Sequence, residues 1–337
     1  MRTVELIVPG DIEMRSGGYI YDSQIMRGLQ AAGWQTTVHS LEAADASETF
    51  ASFRDDRVVV IDGLALTDLV DLIRAHTQRL QIVALVHHPV ALEGDHSAAD
   101  AQRLHALECI ALAHVTAIIC TSQWTAAELR RYGVDAPITV VEPGTREFTA
   151  QRVAPVQPPS HERQLLCVAS LIPRKAHDIL IESLARLENF AWHLHCVGDT
   201  TRNAKYAASI TQLINEKNLN TCISLHGEVP DDELATFYSR ADLFVLASRL
   251  EGYGMVLTEA LSYGLPIIAC DAGAVSDTLA DSNAQLVTPN DAGAFHAALN
   301  SWFTGEHQRA PAPTTAVRTW AEASAAFANA LSEHLRT

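Results

Sequence analysis

Positive charge is scarce in this sequence. Lys and Arg total 24 against 40 Asp and Glu, and only three of the basic residues are lysines. The formal net charge of −16 repels phosphate backbones and anionic lipid at long range. We therefore expect no nucleic-acid binding and no contact with a membrane surface.

Closely paired cysteines are also missing. The six cysteines are scattered, mostly inside apolar runs, and none forms a Cys-x-x-Cys pair. A disulfide framework needs a denser and more regular spacing. The pattern predicts reduced core cysteines in a cytoplasmic protein.

Long hydrophobic runs are a third absence. Glu5 interrupts the first apolar run, where a signal peptide needs an unbroken segment. The longest stretch without formal charge, residues 109–127, contains His114 and several hydroxyl and amide side chains, as expected of a helix end followed by a strand. We expect neither export nor a membrane-spanning segment.

What the chain does have is enough apolar material for two domains. It has 337 residues, 48% of them hydrophobic, which excludes disordered and fibrous classes. Short β-branched runs alternate with longer amphipathic segments, a pattern typical of parallel sheets covered by helices. The predicted strands of the first half are residues 4–8, 36–39, 58–61, 81–86, 116–120 and 138–141, and its predicted helices are 18–32, 67–76, 98–114 and 123–132.

A break in this pattern predicts the domain boundary. The apolar periodicity disappears over residues 142–163, where Pro143, Pro155, Pro158 and Pro159 lie close together. Beyond it, strands are predicted at 165–169, 192–197, 223–226, 243–247, 266–269 and 285–287. We therefore expect domains at 1–150 and 151–313, followed by residues 314–337 with a helix over about 316–335 that packs on either domain. Two open α/β domains in series predict a ligand cleft between them.

The most informative segment contains two glutamates eight residues apart. Glu251, Gly252, Tyr253 and Gly254 follow a predicted strand, and a helical pattern that includes Glu259 begins beside Gly254. The free N–H groups and positive dipole of a helix start bind anions such as a diphosphate. Carboxylates on either side would accept hydrogen bonds from sugar hydroxyls, whereas a pair of solvated surface acids is the simpler alternative.

A basic pair follows the first strand of the second domain. Arg174 and Lys175 lie in the predicted strand-to-helix loop, and Lys175 is one of only three lysines. Such a pair suits a diphosphate that gains charge as it leaves, because Arg offers a planar fork and Lys a compact charge. An ordinary charged turn is the alternative. No Asp-x-Asp pair is placed after a strand to hold Mg²⁺.

Together these features resemble the retaining glycosyltransferases of the GT-B fold, family 4. The resemblance includes residues 248–254, which read Ser-Arg-Leu-Glu-Gly-Tyr-Gly, and is strongest over 165–279. It implies an α/β architecture of two Rossmann-like parallel-sheet domains with an interdomain cleft. The N-terminal domain would take the acceptor and the C-terminal domain the nucleotide-sugar donor.

The resemblance also implies roles for the donor-side residues. The first motif glutamate, Glu251, would contact hydroxyls of the donor sugar, and the second, Glu259, would bind the ribose. The base would lie near Val229, in the segment His226-Gly227-Glu228-Val229-Pro230. The diphosphate would be held by Arg174 and Lys175 and by the turn made of Gly252, Tyr253, Gly254, Met255 and Val256, whose last three residues supply backbone N–H groups.

Two sites in the first domain follow from the same resemblance. Gly17 and Gly18 match the glycine-rich loop that approaches the donor phosphates, although a simple helix-start turn is the alternative. His87 and His88 follow the fourth strand, where relatives carry a histidine that contacts the donor sugar. His87 is closer to the strand end, but the sequence leaves the choice open. A zinc site made of His87, His88 and His96 matches no standard ligand spacing.

The resemblance, with the basic pair and the lack of an Asp-x-Asp pair, implies a retaining, metal-independent hexosyltransferase without a cofactor. It would move a sugar from a UDP- or GDP-sugar to a hydroxyl of a soluble, polar acceptor, since residues 1–155 carry a net charge of −8. The alternatives are a non-catalytic nucleotide-sugar-binding protein and a GT-B epimerase acting on the sugar nucleotide. A dinucleotide-binding enzyme is disfavoured, because the first strand is not followed by Gly-x-Gly-x-x-Gly.

Overall fold

The computed structural model of the protein describes residues 2–41, 45–93, 96–146, 162–187, 189–305 and 317–334. The chain divides into two compact units, one made of Met1–Thr145 with Arg318–Thr337 and the other of Arg146–Val317. Each contains one six-stranded sheet in which every strand pair is parallel. The predicted boundaries after residues 150 and 313 lie outside the described residues.

The sheet of the first unit has the order β2-β1-β3-β4-β5-β6. Its strands are β1 (Thr3–Val8), β2 (Gln35–Ser40), β3 (Val58–Asp62), β4 (Gln81–Val86), β5 (Ala117–Cys120) and β6 (Ile138–Val140). The helices between them are α1 (Gly17–Ala31), α2 (Ala46–Ser52), α3 (Val70–His76), α4 (Ala98–Leu112) and α5 (Gln123–Arg131). The strands β3, β4 and β5 are buried along their whole length, as expected of central parallel strands covered on both faces.

The sheet of the second unit has the order β12-β11-β10-β7-β8-β9. Its strands are β7 (Arg163–Val168), β8 (Trp192–Val197), β9 (Ile223–Gly227), β10 (Leu243–Leu246), β11 (Ile267–Cys270) and β12 (Gln285–Val287). Its helices are α6 (His177–Leu184), α7 (Ala204–Glu216), α8 (Asp231–Arg240), α9 (Met255–Ser262), α10 (Val275–Thr278) and α11 (Ala292–Thr304). The central strands β7 and β10 are adjacent, so the loops that follow them lie at the same edge of the sheet.

The last helix, α12 (Trp320–His334), packs on α1 and so belongs to the first unit. Phe327 of α12 is fully buried in the same apolar cluster as Ile25 of α1. Gly28 permits this close approach, because a Cβ there would lie 2.0 Å from the Ser324 Oγ. A backbone hydrogen bond of 2.6 Å from Thr145 N to Arg318 O ties the helix to the end of the first sheet region.

Every predicted strand is present, with ends that differ by no more than two residues. The prediction of two Rossmann-like parallel-sheet domains is therefore confirmed. The sequence missed α2, because only Ala46 and Phe50 of this seven-residue helix are buried, too short a repeat to show a helical period. Among the residues described, every helix is too short or too polar to span a bilayer.

Candidate functional site

The basic pair of the second unit lies where β7 gives way to α6. A short 3-10 turn, Pro173–Lys175, is followed by Ala176 in the left-handed region at φ 52°, and α6 then begins. The guanidinium of Arg174 donates to the backbone oxygen of Leu250 at 3.0 Å. The ammonium of Lys175 lies 2.6 Å from Oε1 of Glu251. The structure thus joins the two predicted motifs through one ion pair.

Glu251 is held from several directions in the loop after β10. Ser248 Oγ donates to Glu251 Oε1 at 2.6 Å, so this carboxylate oxygen has two partners. The backbone of Glu251 forms a bridge with Gly273: its N–H donates to Ala272 O at 3.2 Å, and its oxygen accepts from Ala274 N at 2.9 Å. Gly273 has φ +68°, and a Cβ there would lie 2.3 Å from the oxygen of Glu251. The position therefore requires glycine.

Burial and mutual attraction set the charges of this pair. The side chains of Lys175 and Glu251 are 16% and 6% exposed. Burial lowers the pKa of Lys175, although the adjacent Glu251 opposes the change. Burial alone would raise the pKa of Glu251, but Lys175 and Arg174 outweigh it and hold that pKa below its ordinary value. A buried ion pair contributes little net stability and is expensive to disrupt, so its place at a strand end indicates a functional site.

Arg249 links the loop after β10 to the loop after β7 by hydrogen bonds. Its backbone N–H donates to Arg174 O at 2.7 Å, and its guanidinium donates to the backbone oxygen of Pro173. The same guanidinium bonds the Asp178 carboxylate at 2.7 Å, and Tyr206 donates to that carboxylate from α7 at 2.7 Å. The position of the basic pair is thus set by residues from four segments of the unit. The sequence analysis assigned no role to Arg249, although this residue lies within residues 248–254, which are part of the family resemblance.

The uncapped start of α9 follows Glu251 in the chain. Gly254 has φ +90°, and α9 begins at Met255 with no capping side chain among the described residues. The N–H groups of the first helical turn have no intrahelical acceptor, so those of Met255 and Val256 face outward from the helix end. Tyr253 lies just before the turn, where its backbone oxygen accepts from Thr278 Oγ1 at 2.6 Å. Gly252, between Glu251 and Tyr253, is buried.

Glu259 lies further along α9 and is 7% exposed. The hydroxyl of Tyr238, a fully buried residue of α8, donates to Glu259 Oε2 at 2.9 Å. The Tyr238 ring stacks on Tyr263 with ring centroids 5.2 Å apart. Burial raises the pKa of Glu259, although Arg146 and the Tyr238 hydroxyl oppose the change. Tyr238 was missed because the sequence shows only an aromatic residue at a core position.

Val229 occupies the connection between β9 and α8. It packs half-buried on the core of the second unit, two residues after Gly227, whose φ is +69°. Asp231 at the start of α8 forms an ion pair of 2.7 Å with Arg146. The predicted base-binding segment therefore follows the carboxyl end of an edge strand of this sheet.

In the first unit the structure brings Gly18 and His87 together. A Cβ at Gly18 would lie 3.2 Å from the Cδ2 of His87, whereas a Cβ at Gly17 would meet nothing within 4 Å. Ser16 caps α1 by accepting from Tyr19 N at 3.4 Å. His88 instead pairs with Glu93, its Nε2 lying 2.8 Å from Oε1.

Two acids that the sequence analysis missed surround His87. Its Nε2 lies 3.1 Å from Oδ1 of Asp22 and 3.3 Å from Oδ2 of Asp62. Both acids are buried, with exposures of 0% and 1%. Asp22 shares a helical face with Ile25, Met26 and Leu29, and an acid on such an apolar stripe was a signal available in the sequence. Asp62 ends a buried strand, which is the other signal.

The charges in this cluster depend on one another. Burial raises the pKa of Asp22 to about 7, a change that His87 opposes and Asp62 reinforces. Burial would lower the pKa of His87, but Asp22 and Asp62 outweigh it and raise that pKa to about 10. In the described part of the chain these three residues form the one group whose ligand atoms lie close enough to surround a metal ion, all within 4.8 Å. Hydrogen bonding and Coulomb attraction to the imidazole already account for the distances.

Models of known protein families match both halves of the chain. A model of the family Glycosyl transferases group 1 matches residues 151–316, and one of Glycosyltransferase Family 4 matches residues 57–146. A GDP-mannose-dependent alpha-(1-6)-phosphatidylinositol monomannoside mannosyltransferase of Mycolicibacterium smegmatis is 26% identical over 167 residues, 47% of this chain and 42% of that protein. A D-inositol 3-phosphate glycosyltransferase of Thermobispora bispora is 30% identical over 150 residues, 40% of this chain and 35% of that protein. The matches thus span less than half of these relatives.

Solved structures share the fold over the whole chain. Sucrose-phosphate synthase from Thermosynechococcus elongatus superposes with a TM-score of 0.76 at 20% identity, covering 100% of this chain and 95% of that one. HepE of Anabaena, in complex with UDP and glucose, superposes with a TM-score of 0.77 at 17% identity, covering 98% and 99%. The architecture of two parallel-sheet units is therefore that of the GT-B fold.

Proposed function

Because this chain belongs to the glycosyl transferases group 1 family, we propose that it is a retaining, metal-independent glycosyltransferase that moves a hexosyl group from a UDP- or GDP-sugar to a hydroxyl of a soluble, polar acceptor. The observation that carries the proposal is the Lys175–Glu251 ion pair beside the uncapped start of α9. It combines cationic groups, outward N–H groups and a carboxylate, which are the groups that a sugar diphosphate needs. The similar mannosyltransferase of Mycolicibacterium smegmatis is GDP-mannose-dependent, and HepE was solved with UDP and glucose.

The diphosphate of the donor is bound by backbone N–H groups and by the basic pair. The N–H groups of Gly254, Met255 and Val256 bind the diphosphate, and Arg174 and Lys175 neutralise the charge that it gains as it leaves. This fixed set of donors lowers the barrier because it needs no reorganisation during the reaction.

Glu251 and Glu259 fix the remainder of the donor. Glu251 accepts from sugar hydroxyls with the oxygen that Lys175 and Ser248 leave open, and Glu259, oriented by Tyr238, accepts from the ribose. The turn of Gly252 and Tyr253 lies between these carboxylates along the chain, and Val229 contacts the base. In the first unit Gly17 offers open backbone to the donor phosphates, and His87 contacts the donor sugar, since His88 is paired with Glu93.

The chemical step is a substitution at C1 of the donor sugar. The bond from C1 to the phosphate oxygen breaks with its electron pair leaving on the diphosphate, and a bond from C1 to the acceptor oxygen forms on the same face. The acceptor proton passes to a phosphate oxygen of the leaving group. No protein nucleophile is required, so the protein supplies positioning and electrostatic stabilisation.

The test combines calorimetry with product analysis. UDP, GDP and ADP are titrated into the wild type, Glu259→Ala and the matched control Glu216→Ala, whose side chain is exposed on α7. We expect one nucleotide to bind, with affinity lost in Glu259→Ala and kept in the control. Incubation of the matching nucleotide sugars with acceptor candidates should then give an α-configured product from an α-configured donor. Turnover without acceptor would indicate an epimerase instead, and binding without any turnover a non-catalytic binding protein.

A further inference from the structure

Burying Asp22 and Asp62 beside His87 costs free energy of folding. Asp22 lies on the apolar face of α1, and its Oδ2 is buried and accepts no hydrogen bond from the described residues. Oδ1 of Asp62 already accepts a hydrogen bond from Leu64 N at 2.7 Å, which caps the start of the 3-10 turn Gly63–Ala65. Burying two carboxylates beside one imidazole is unfavourable for stability alone, so their placement calls for another role.

The geometry assigns different tasks to the two acids. One ring N–H makes one good hydrogen bond, and Nε2 of His87 lies closer to Asp22, at 3.1 Å, than to Asp62, at 3.3 Å. Asp22 is therefore the acceptor, and Asp62 adds negative charge without a second strong bond. With Nε2–H used in this way, the ring is anchored on its buried edge.

The backbone of His87 is fixed as well. The hydroxyls of Thr121 and Thr125 both donate to its carbonyl oxygen at 3.1 Å. The Tyr21 ring packs edge-on against the imidazole with centroids 5.3 Å apart. The side chain is 14% exposed, and no described residue hydrogen-bonds its Nδ1. Nδ1 is thus the ring nitrogen left for a ligand, whereas Gly18 faces the Cδ2–Nε2 edge of the ring.

We propose that Asp22 and Asp62 are positioning residues that hold His87 as an imidazolium, so that Nδ1–H donates a charge-assisted hydrogen bond to an oxygen of the donor. This rests on the proposed function, in which His87 contacts the donor sugar. It makes His87 a fixed cationic donor and not a base, because a ring held charged by two acids has no lone pair to offer. Charge-assisted donors bind oxygen acceptors about twice as strongly as neutral ones.

The groups that face His87 define the controls. Asp22 and Tyr21 approach it from α1, and Asp62 from the end of β3. Asp22→Asn keeps the size and an acceptor oxygen but removes the charge, and Asp62→Asn does the same for the second acid. Tyr21→Phe is the matched control, since it keeps the ring packing and both charges and loses only the hydroxyl bond to Val141 O.

The first experiment is an NMR titration of the full-length protein with labelled histidine, recorded between pH 5.5 and 10.5. The signal of His87 is identified by its loss in His87→Gln. We expect wild-type His87 to stay protonated through pH 8, and its pKa to fall by about one or more in Asp22→Asn but to be unchanged in Tyr21→Phe. The proposal would be overturned if the pKa of His87 in the wild type were near 6.5. It would also be overturned if that pKa were the same in Asp22→Asn and Asp62→Asn as in the wild type.

The second experiment measures kcat and KM against pH with the nucleotide sugar that binds. Asp22→Asn should lower kcat/KM about tenfold or more at pH 8. Near pH 6, where the imidazole is protonated even without the Asp22 charge, kcat/KM of this variant should return towards the wild-type value. A loss that is equal at both pH values would show a merely structural role and refute the assignment. A stoichiometric metal ion in the wild type that is absent from Asp22→Asn would refute it too.

The two experiments separate this inference from the proposed function. The titration uses the free protein and needs no donor, so it decides the state of His87 even if no nucleotide sugar binds. Absence of any donor binding by the wild type would instead refute the proposed function. Because the wild-type titration needs only His87→Gln for assignment and no Asp variant, misfolding of an Asp variant does not remove the test.

Discussion

Removal of the Lys175 ammonium is the sharpest test of the donor site. Lys175→Met keeps most of the side-chain volume and leaves the buried Glu251 carboxylate without its ammonium partner, while Ser248 still donates to it. Breaking one partner of a buried ion pair costs about 3–5 kcal/mol of stability. Losing one preorganised donor to a developing negative charge costs about 10²- to 10³-fold in kcat. We expect both losses, with kcat reduced more than nucleotide affinity.

A double variant separates the two effects. Glu251→Gln in the Lys175→Met background removes the unpaired charge, so the free energy of unfolding should recover by about 1–3 kcal/mol, measured by urea denaturation. Activity should not recover, because the cation is still missing. Lys217→Met is the control, since this lysine forms a half-exposed pair with Glu182 on the same unit. Wild-type kcat in folded Lys175→Met would refute the role of Lys175.

Further predictions concern the supports of the site and its response to pH. Gly273→Ala should cost about 2 kcal/mol or more, because φ is +68° and the new Cβ would meet the Glu251 oxygen at 2.3 Å; thermal denaturation measures this. Tyr238→Phe should weaken nucleotide binding about three- to tenfold in calorimetry, since Glu259 loses the hydroxyl that orients it. The pKa of His87 is raised to about 10 in the folded protein, so its contribution to stability is full below about pH 6.5 and is lost as the pH rises towards 10. The loss of unfolding free energy between pH 7 and 9.5 should therefore be smaller in His87→Gln, and an equal loss in both proteins would contradict the pairing.

Much of the architecture was predictable because local pattern and global fold agree. The strands β3, β4 and β5 are mostly apolar runs, and they lie fully buried in the centre of the first sheet. Elements with weak periodicity were less predictable, as α2 shows. The final helix was predictable as a helix, but its apolar face alone did not say which unit it covers; contact with α1 decides that.

The candidate site was predictable wherever its groups lie in one segment. The run from Glu251 to Glu259 and the pair Arg174–Lys175 carry their chemistry in their own spacing, beside strand ends that the sequence also shows. That these two segments come together was not predictable, because the 2.6 Å contact of Lys175 with Glu251 joins residues 76 positions apart. The same holds for Tyr238 and Arg249, whose roles depend on partners in other segments.

By itself, then, the sequence determined two parallel α/β domains, the family, and a helix start flanked by acids and preceded by a basic loop. These follow from periodicity and residue type, which act over a few neighbouring positions. Only the tertiary structure decided that His87 lies against Gly18 while His88 pairs with Glu93, that Asp22 and Asp62 flank His87, and that α12 packs on α1. Such contacts depend on which strand ends are adjacent and on how buried charges are neutralised, and neither is a property of a local segment.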